Sequence, residues 1–499
     1  MRVRDGVRQL MPWVAIGQSR LRKTFDFGQW NVTTFKRLVD LLIKSGIKAL
    51  CLLPIHELPL GVASLFSRES MNALSSRLLD LQEIPELKNN PLYKSFLITK
   101  LVSSKIRNEL SGKMDIESVE AQNKKFLTLA FTAFKEKGTP ERRREFKAFC
   151  QEQKWWLDKY AYFKALQEVY QAMGVSFDEL NEDYADMKSE KARAFLKHPK
   201  TKERMKYFKF VQMETYRQVG EALKYAYQQG IQEIELLVGV GIGRESAEGL
   251  LRHAEFNRRR QIGCFPEPEN GYPLQDWGFL AEQPGAAILD FKARSFQAMR
   301  KLGVDRIGID HGCGFLGGYT TFPVYGEDGR VLHSSNPADA EYLEREGRWA
   351  IELGQEEERR AYALASLEAL FGLTPDLALT FETVGDLNRR TAAEKAIAAA
   401  ITKDKNITMM RAFPWEDTPL RNYMATDRLS ITHDMPTLTG LLIGQAGDHC
   451  YPWVNGEFVA KILNRLGVLA PHLDGPLDVS QMTSKFMQDR MKASVKLIK

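Results

Sequence analysis

LDFKARSFQAMRKLGVDRIGIDHG (289–312) is the stretch whose reading decides the fold. Apolar residues recur at helical spacing from Leu289 to Leu302, and the run stops on Gly303, a residue suited to ending helices. Val304 to Ile309 then reads as a short buried strand. That strand delivers Asp310 and His311 to its carboxyl end, and glycines follow at 312, 314, 317 and 318. A helix feeding a strand that carries polar side chains at its tip is the repeating unit of parallel α/β proteins.

The same unit recurs along the chain. Buried strands are predicted at MPWVAI (11–16), IKALCLLPI (47–55), IQEIELLVGV (231–240), VDRIGI (304–309), LALTF (377–381), NITMMR (406–411) and LSIT (429–432). Helical patterns lie between most of them, as in TTFKRLVDLLIKSG (33–46), which ends on Gly46, and AAEKAIAAAITKD (392–404). Buried strands alternating with helices imply parallel pairing with helices packed outside. Seven such strands leave an open doubly wound sheet or a (β/α)8 barrel, and SVKLI (494–498) is a candidate eighth strand. Residues 84–230 read as helical and as an insertion after strand 2. The expected organisation is therefore 1–83 for the first part of the barrel, 84–230 for a helical insertion subdomain, and 231–499 for strands 3 to 8.

Composition narrows the functional classes. The chain has 499 residues, 44% hydrophobic and 27% charged, which is ordinary for a globular protein. Five scattered cysteines without a CxxC pair argue against a disulfide framework or a zinc site, and for a reducing compartment. No leader or membrane-spanning run is evident, so a cytoplasmic protein is expected. The net charge of +6 is mild. Its densest basic stretch, FLKHPKTKERMKYFKF (195–210), reads as a helix with aromatics facing a core and lysines facing water, not as a nucleic-acid surface.

Reactive side chains in parallel α/β folds collect at strand carboxyl ends. There the sequence places Asp310, Glu382 after LALTF, and His433 with Asp434 after LSIT. Any single acid could merely cap the next helix. Three at separate strand ends suit glycoside chemistry, in which a carboxylate attacks the anomeric carbon and a second carboxyl protonates the leaving oxygen. In retaining enzymes those groups stand roughly 5 to 5.5 Å apart.

The motifs make the resemblance specific. GIDHGCGF (308–315) resembles the strand-end RIDHFRGF of the 4-α-glucanotransferases of glycoside hydrolase family 77, the amylomaltases or disproportionating enzymes. TFETVGDL (380–387) is similar to the AEDLG strand of that family, SITHDMPT (430–437) to TGTHDNDT, and NGYPLQDW (270–277) to WGNPLYDW. FKAFCQEQKWWLDKYAYFKAL (146–166) is similar to the family's helical segment, and the likenesses run in family order from about residue 26 to 440. The resemblance implies a (β/α)8 TIM barrel with a large helical insertion after strand 2. It implies a hexosyltransferase that moves α-1,4-glucan segments between donor and acceptor sugars of the maltodextrin, glycogen or starch type. Asp310 is then the nucleophile, Glu382 the general acid/base and Asp434 the transition-state stabiliser. His311, His433, Ser70 and Trp277 are expected to contact sugar, and no metal or cofactor is required.

Several family positions differ. Gly308 stands where the family has an arginine, Leu237 replaces an acid after the third strand, and Asn270 replaces the loop tryptophan. FSRESMNALSSR (66–77) keeps Ser70 and Ala73 of a sugar-binding loop but loses its tyrosine and glutamine. The alternatives are therefore a catalytically weakened homologue that binds glucan or a partner, or a hydrolase on the same substrates. Two further readings are disfavoured. LVGVGIGRES (237–246) has GxGxG rather than GxGxxG spacing and no following ribose-binding acid. The two Asp/His pairs lack metal-site spacing.

Overall fold

The computed structural model describes residues 31–59, 65–96, 120–174, 183–239, 241–243, 245–256, 287–310, 369–370 and 372–380 with their side chains. A few flanking residues and several further strands are described by backbone alone. The strands are β1 (Arg2–Arg4), β2 (Val7–Gln9), β3 (Trp13–Val14), β4 (Ala49–Leu52), β5 (Glu233–Val238) and β6 (Phe256–Cys264). They continue with β7 (Gln275–Glu282), β8 (Arg306–Ile309), β9 (Tyr319–Thr321), β10 (Ala378–Thr383), β11 (Ile407–Ala412) and β12 (Arg428–Ser430).

The main sheet runs β12-β11-β10-β8-β5-β4-β3, and every neighbouring pair is parallel. Its members are the seven strands expected from the sequence. Spatial order follows chain order throughout, whereas a doubly wound sheet reverses direction at a switch point. The sheet therefore winds one way, as in a TIM barrel. The candidate eighth strand at 494–498 and the predicted helix at 392–404 lie outside the described residues.

The pattern of side chains explains the layering. β4, β5 and β8 are buried at every position, as strands covered on both faces must be. One face carries Leu50, Leu52, Ile234, Leu236, Val238, Ile307, Ile309 and Leu379, which pack with helical residues such as Phe35, Val39, Leu223 and Phe296. The other face carries Ala49, Cys51 and Leu237 together with buried polar residues Glu233, Glu235, Arg306 and Thr380. Helix Val32–Lys44 starts where Asn31 Oδ1 accepts the Thr33 and Thr34 N–H groups, each at 3.1 Å. Helix Ala286–Leu302 ends at Gly303, whose φ of +117° admits no ordinary side chain, and its partner strand β8 begins three residues later.

Between β4 and β5 the chain is largely helical, including Ile116–Lys137, Pro140–Glu152, Lys154–Met173, Glu190–Lys197 and the 31-residue helix Pro199–Gln229. At ~1.5 Å per residue that last helix is about 46 Å long. Its first half places Tyr207, Phe210, Val211 and Met213 in a core shared with Phe126, Phe131 and Phe134. Its second half places Val219, Ala222, Leu223 and Ala226 in the core beneath the parallel sheet. The basic stretch 195–210 takes the ordinary form: Tyr207, Phe208 and Phe210 are buried while Lys197, Lys200, Lys202 and Lys206 face water. Trp155 and Trp156 pack in helical cores, the former edge-on to Phe291. Among the described residues no helix is long and apolar enough to cross a membrane.

FNRRRQ (256–261) and the end of NGYPLQDW lie in β6 and β7, which pair antiparallel and are joined by β9. Three consecutive arginines carry no apolar alternation, so this ladder is specified by pairing between distant segments and not by local pattern.

Candidate active site

The site is built from strand tips. Asp310 is the first residue past β8; it is half-buried, and its N–H donates to the Val238 carbonyl at 2.9 Å, which ties the tip of β8 to β5. Glu382 lies inside β10. The β8–β10 register pairs Thr380 with Gly308 and Phe381 with Ile309, so the next position on each strand is 382 and 310. These two positions therefore stand level on adjacent parallel strands, where neighbouring backbones are roughly 4.8 Å apart. Position 310 follows Gly308 by two residues, and the register partners of Gly308, Leu237 and Thr380, lie on the sheet face opposite the helices. Asp434, His433 and His311 lie outside the described residues; β12 ends at Ser430, four residues before position 434. Trp277 is on β7.

Beneath the tips the inner face is charged. Arg306 Nε lies 3.2 Å from Glu233 Oε1, and Arg306 Nη1 donates to the Leu379 carbonyl at 3.0 Å. Burial lowers the Arg306 pKa to about 10. Glu235, only 1% exposed, stands at the register position of Arg306 and Cys51.

The segment after β4 forms the adjoining wall. Ser70 is fully buried; its hydroxyl donates to Glu248 Oε1 at 2.9 Å and accepts from the Asn72 and Ala73 N–H groups. Glu248 follows β5 in helix Ala247–Leu251, and burial raises its pKa. Ser70 thus fastens the post-β4 segment to the post-β5 segment. Next to it, Glu69 accepts from Lys164 at 2.6 Å and from Gln167 at 2.7 Å, both on helix Lys154–Met173. Glu57 accepts from the Ser76 N–H at 2.7 Å, and desolvation pushes its pKa up to about 7, against the opposing pull of Lys164. His56 is buried, bridges Leu74 through the backbone, and is lowered to about 3 by burial and by Arg68.

Two glutamines, which sequence reasoning missed, hold this wall in place. Gln212 accepts from the Leu74 N–H and donates to the Leu74 carbonyl, both at 2.9 Å. Gln218, on the same long helix, makes the same pair with Asp80, at 2.9 and 3.1 Å. Each side-chain amide replaces a missing backbone partner. The only sequence signal is a pair of polar residues on the buried side of a helix, and nothing local names their partners 138 residues away.

A singly wound parallel sheet with acidic residues at or near adjacent strand ends is the arrangement in which TIM-barrel enzymes carry their active sites. The family model Glyco_hydro_77, described as 4-alpha-glucanotransferase, matches residues 19–489, and the chain belongs to that family. It is 25% identical over 305 residues to a 4-alpha-glucanotransferase of Clostridium butyricum, covering 58% of each protein. It is also 25% identical over 296 residues to 4-alpha-glucanotransferase DPE2 of Oryza sativa subsp. japonica, covering 55% of this chain and 29% of that one. The chain thus spans less than two thirds of the length of these curated relatives. Among solved structures, 98% of the chain superposes on amylomaltase from Corynebacterium glutamicum, with a TM-score of 0.68, 16% identity and 66% of that chain covered. It superposes likewise on amylomaltase from Streptococcus agalactiae in complex with acarbose, with a TM-score of 0.66, 17% identity and 98% of each chain covered. At these identities the likeness establishes the fold, that of the amylomaltase TIM barrel.

Proposed function

We propose that this chain is a 4-α-glucanotransferase acting on α-1,4-glucans by a retaining double displacement. The level placement of positions 310 and 382 on adjacent strands carries the reading, because a backbone spacing of roughly 4.8 Å suits the carboxyl separation of retaining enzymes. Asp310 attacks the anomeric carbon of the donor glucan, forming a glucosyl-enzyme ester. Glu382 gives its proton to the departing glycosidic oxygen, then takes one from the 4-hydroxyl of the acceptor as that oxygen attacks the ester carbon. Asp434 holds the hydroxyls of the distorted ring, with His311, His433 and Trp277 as further sugar contacts. No metal or other cofactor enters these steps. Ser70 shapes the wall of the site through Glu248.

The helices between β4 and β5 form an insertion subdomain after the second barrel strand, within 84–230, between barrel segments 1–83 and 231–499. A cytoplasmic location suits the five scattered cysteines, of which Cys51 and Cys150 form no disulfide in the described residues.

Purified protein given maltotriose should produce glucose together with a ladder of longer maltodextrins. Asp310→Asn should lower turnover by at least about 1,000-fold with the fold unchanged by circular dichroism. Hydrolysis products without longer chains would reassign the protein as a glycosidase, and retained activity in Asp310→Asn would remove that residue from the mechanism. Sugar binding without turnover in the wild type would favour the weakened, glucan-binding homologue.

A further inference from the structure

Gly308 lies two residues before Asp310 on the same sheet face, within the ladder formed by Leu237, Gly308 and Thr380. A Cβ at this position would lie 2.7 Å from Glu235 Oε1 and 3.0 Å from Leu237 Cδ1. A side chain at 308 would therefore displace the Glu235 carboxyl, which rests against the β8 backbone in the space left by the glycine. Glu235 itself is 1% exposed. Below it, on the same face, Glu233 pairs with Arg306; above it, at the rim, is Asp310. Among the described residues, the titratable and charged groups on that face around Glu235 include Glu233 on its own strand, Arg306 on β8 and the Cys51 thiol on β4, with Asp310 at the strand end above.

We propose that Glu235 is a positioning residue for Asp310: its carboxyl fills the notch at Gly308 and sets the place of the β8 tip and the local field in which Asp310 works. The inference rests on the assignment of Asp310 as nucleophile. Its physical basis is twofold. The β8 tip is held to β5 by the Asp310 N–H bond to Val238, so a displacement at 308 propagates directly to the attacking carboxylate. The Glu235 carboxyl, held at the level of Gly308 two residues before Asp310, also opposes the ionisation of Asp310 whenever it carries charge itself.

The test combines a size swap with a charge swap. Gly308→Ala should lower kcat by about 10- to 100-fold while KM stays within about twofold. Adding Glu235→Asp, which withdraws the carboxyl by one methylene, should restore at least about tenfold of that loss. Glu235→Gln keeps the volume, so it reads the field even if Gly308→Ala does not fold. It should move the acid limb of the kcat/KM profile down by about 0.5 to 1 pH unit. A merely structural residue would leave that limb in place.

An unshifted limb in Glu235→Gln, or a folded Gly308→Ala enzyme of wild-type rate, or the absence of rescue, would overturn the inference. If Asp310→Asn is inactive while the Glu235 variants behave as wild type, the nucleophile assignment stands and only the role of Glu235 falls. Activity retained in Asp310→Asn removes both.

Discussion

Glu57 sits partly buried in the wall after β4, with Ser76 on one side and the Lys164–Glu69 pair on the other. Because its folded pKa is about 7 and the ordinary value is 4.5, the folded state holds the proton more tightly than the unfolded chain. The stability from this group is therefore complete below about pH 4.5 and is lost as pH rises through about 7, a change on the order of 2 to 3 kcal/mol. Glu57→Gln should flatten the fall in melting temperature across that window, as measured by thermal unfolding at a series of pH values; an unchanged slope would acquit Glu57. At this scale the sequence announced the acids better than their surroundings. Asp310 could be placed because a buried strand ending in an acid is a local pattern; Glu382, expected after its strand, lies within β10, one residue before its end. The setting of Ser70 could not, since its partner Glu248 lies 178 residues away. Nor could the crowding of Gly308 by Glu235, which only the β5–β8 register brings about.

The long helix Pro199–Gln229 shows what an element adds beyond its residues. Its length and its ends, Pro199 at the start and Gly230 at φ +108°, follow from local chemistry. The work of Gln212 and Gln218 does not. Gln212→Ala leaves the Leu74 N–H and carbonyl buried without their partner, which should cost about 2 kcal/mol in denaturant unfolding. The loss should be accompanied by faster proteolysis between residues 66 and 80, and equal stability of the variant would show that another group replaces the amide. Among strands, those of the parallel sheet were legible as short apolar or β-branched runs between helical patterns. The ribbon β6, β7 and β9 was not, because its arginine-rich segment takes strand form through partners that lie elsewhere in the chain.

For the molecule as a whole, parallel pairing in the main sheet was implied by the alternation of helices and strands, and the one-way strand order was the point the structure had to supply. The two cores, by contrast, share a single helix. Phe210→Ala removes a fully buried ring from the helical core and should cost about 3 to 5 kcal/mol. Because that helix continues unbroken into the core under the sheet, the loss should lower one common transition. Calorimetry and a probe in the sheet, such as the reactivity of buried Cys51, should report the same midpoint. Two separated transitions would mean that the cores unfold independently.

That continuity also limits how such a protein can be recombined. A graft exchanging the segment between β4 and β5 cannot be joined in the middle of Pro199–Gln229 without stranding Val219, Leu223 and Ala226, or Tyr207 and Phe210, as a sticky stripe with no mate. The natural seam falls at Gly230, so any donor segment must bring the entire rod and a matching underside for the sheet.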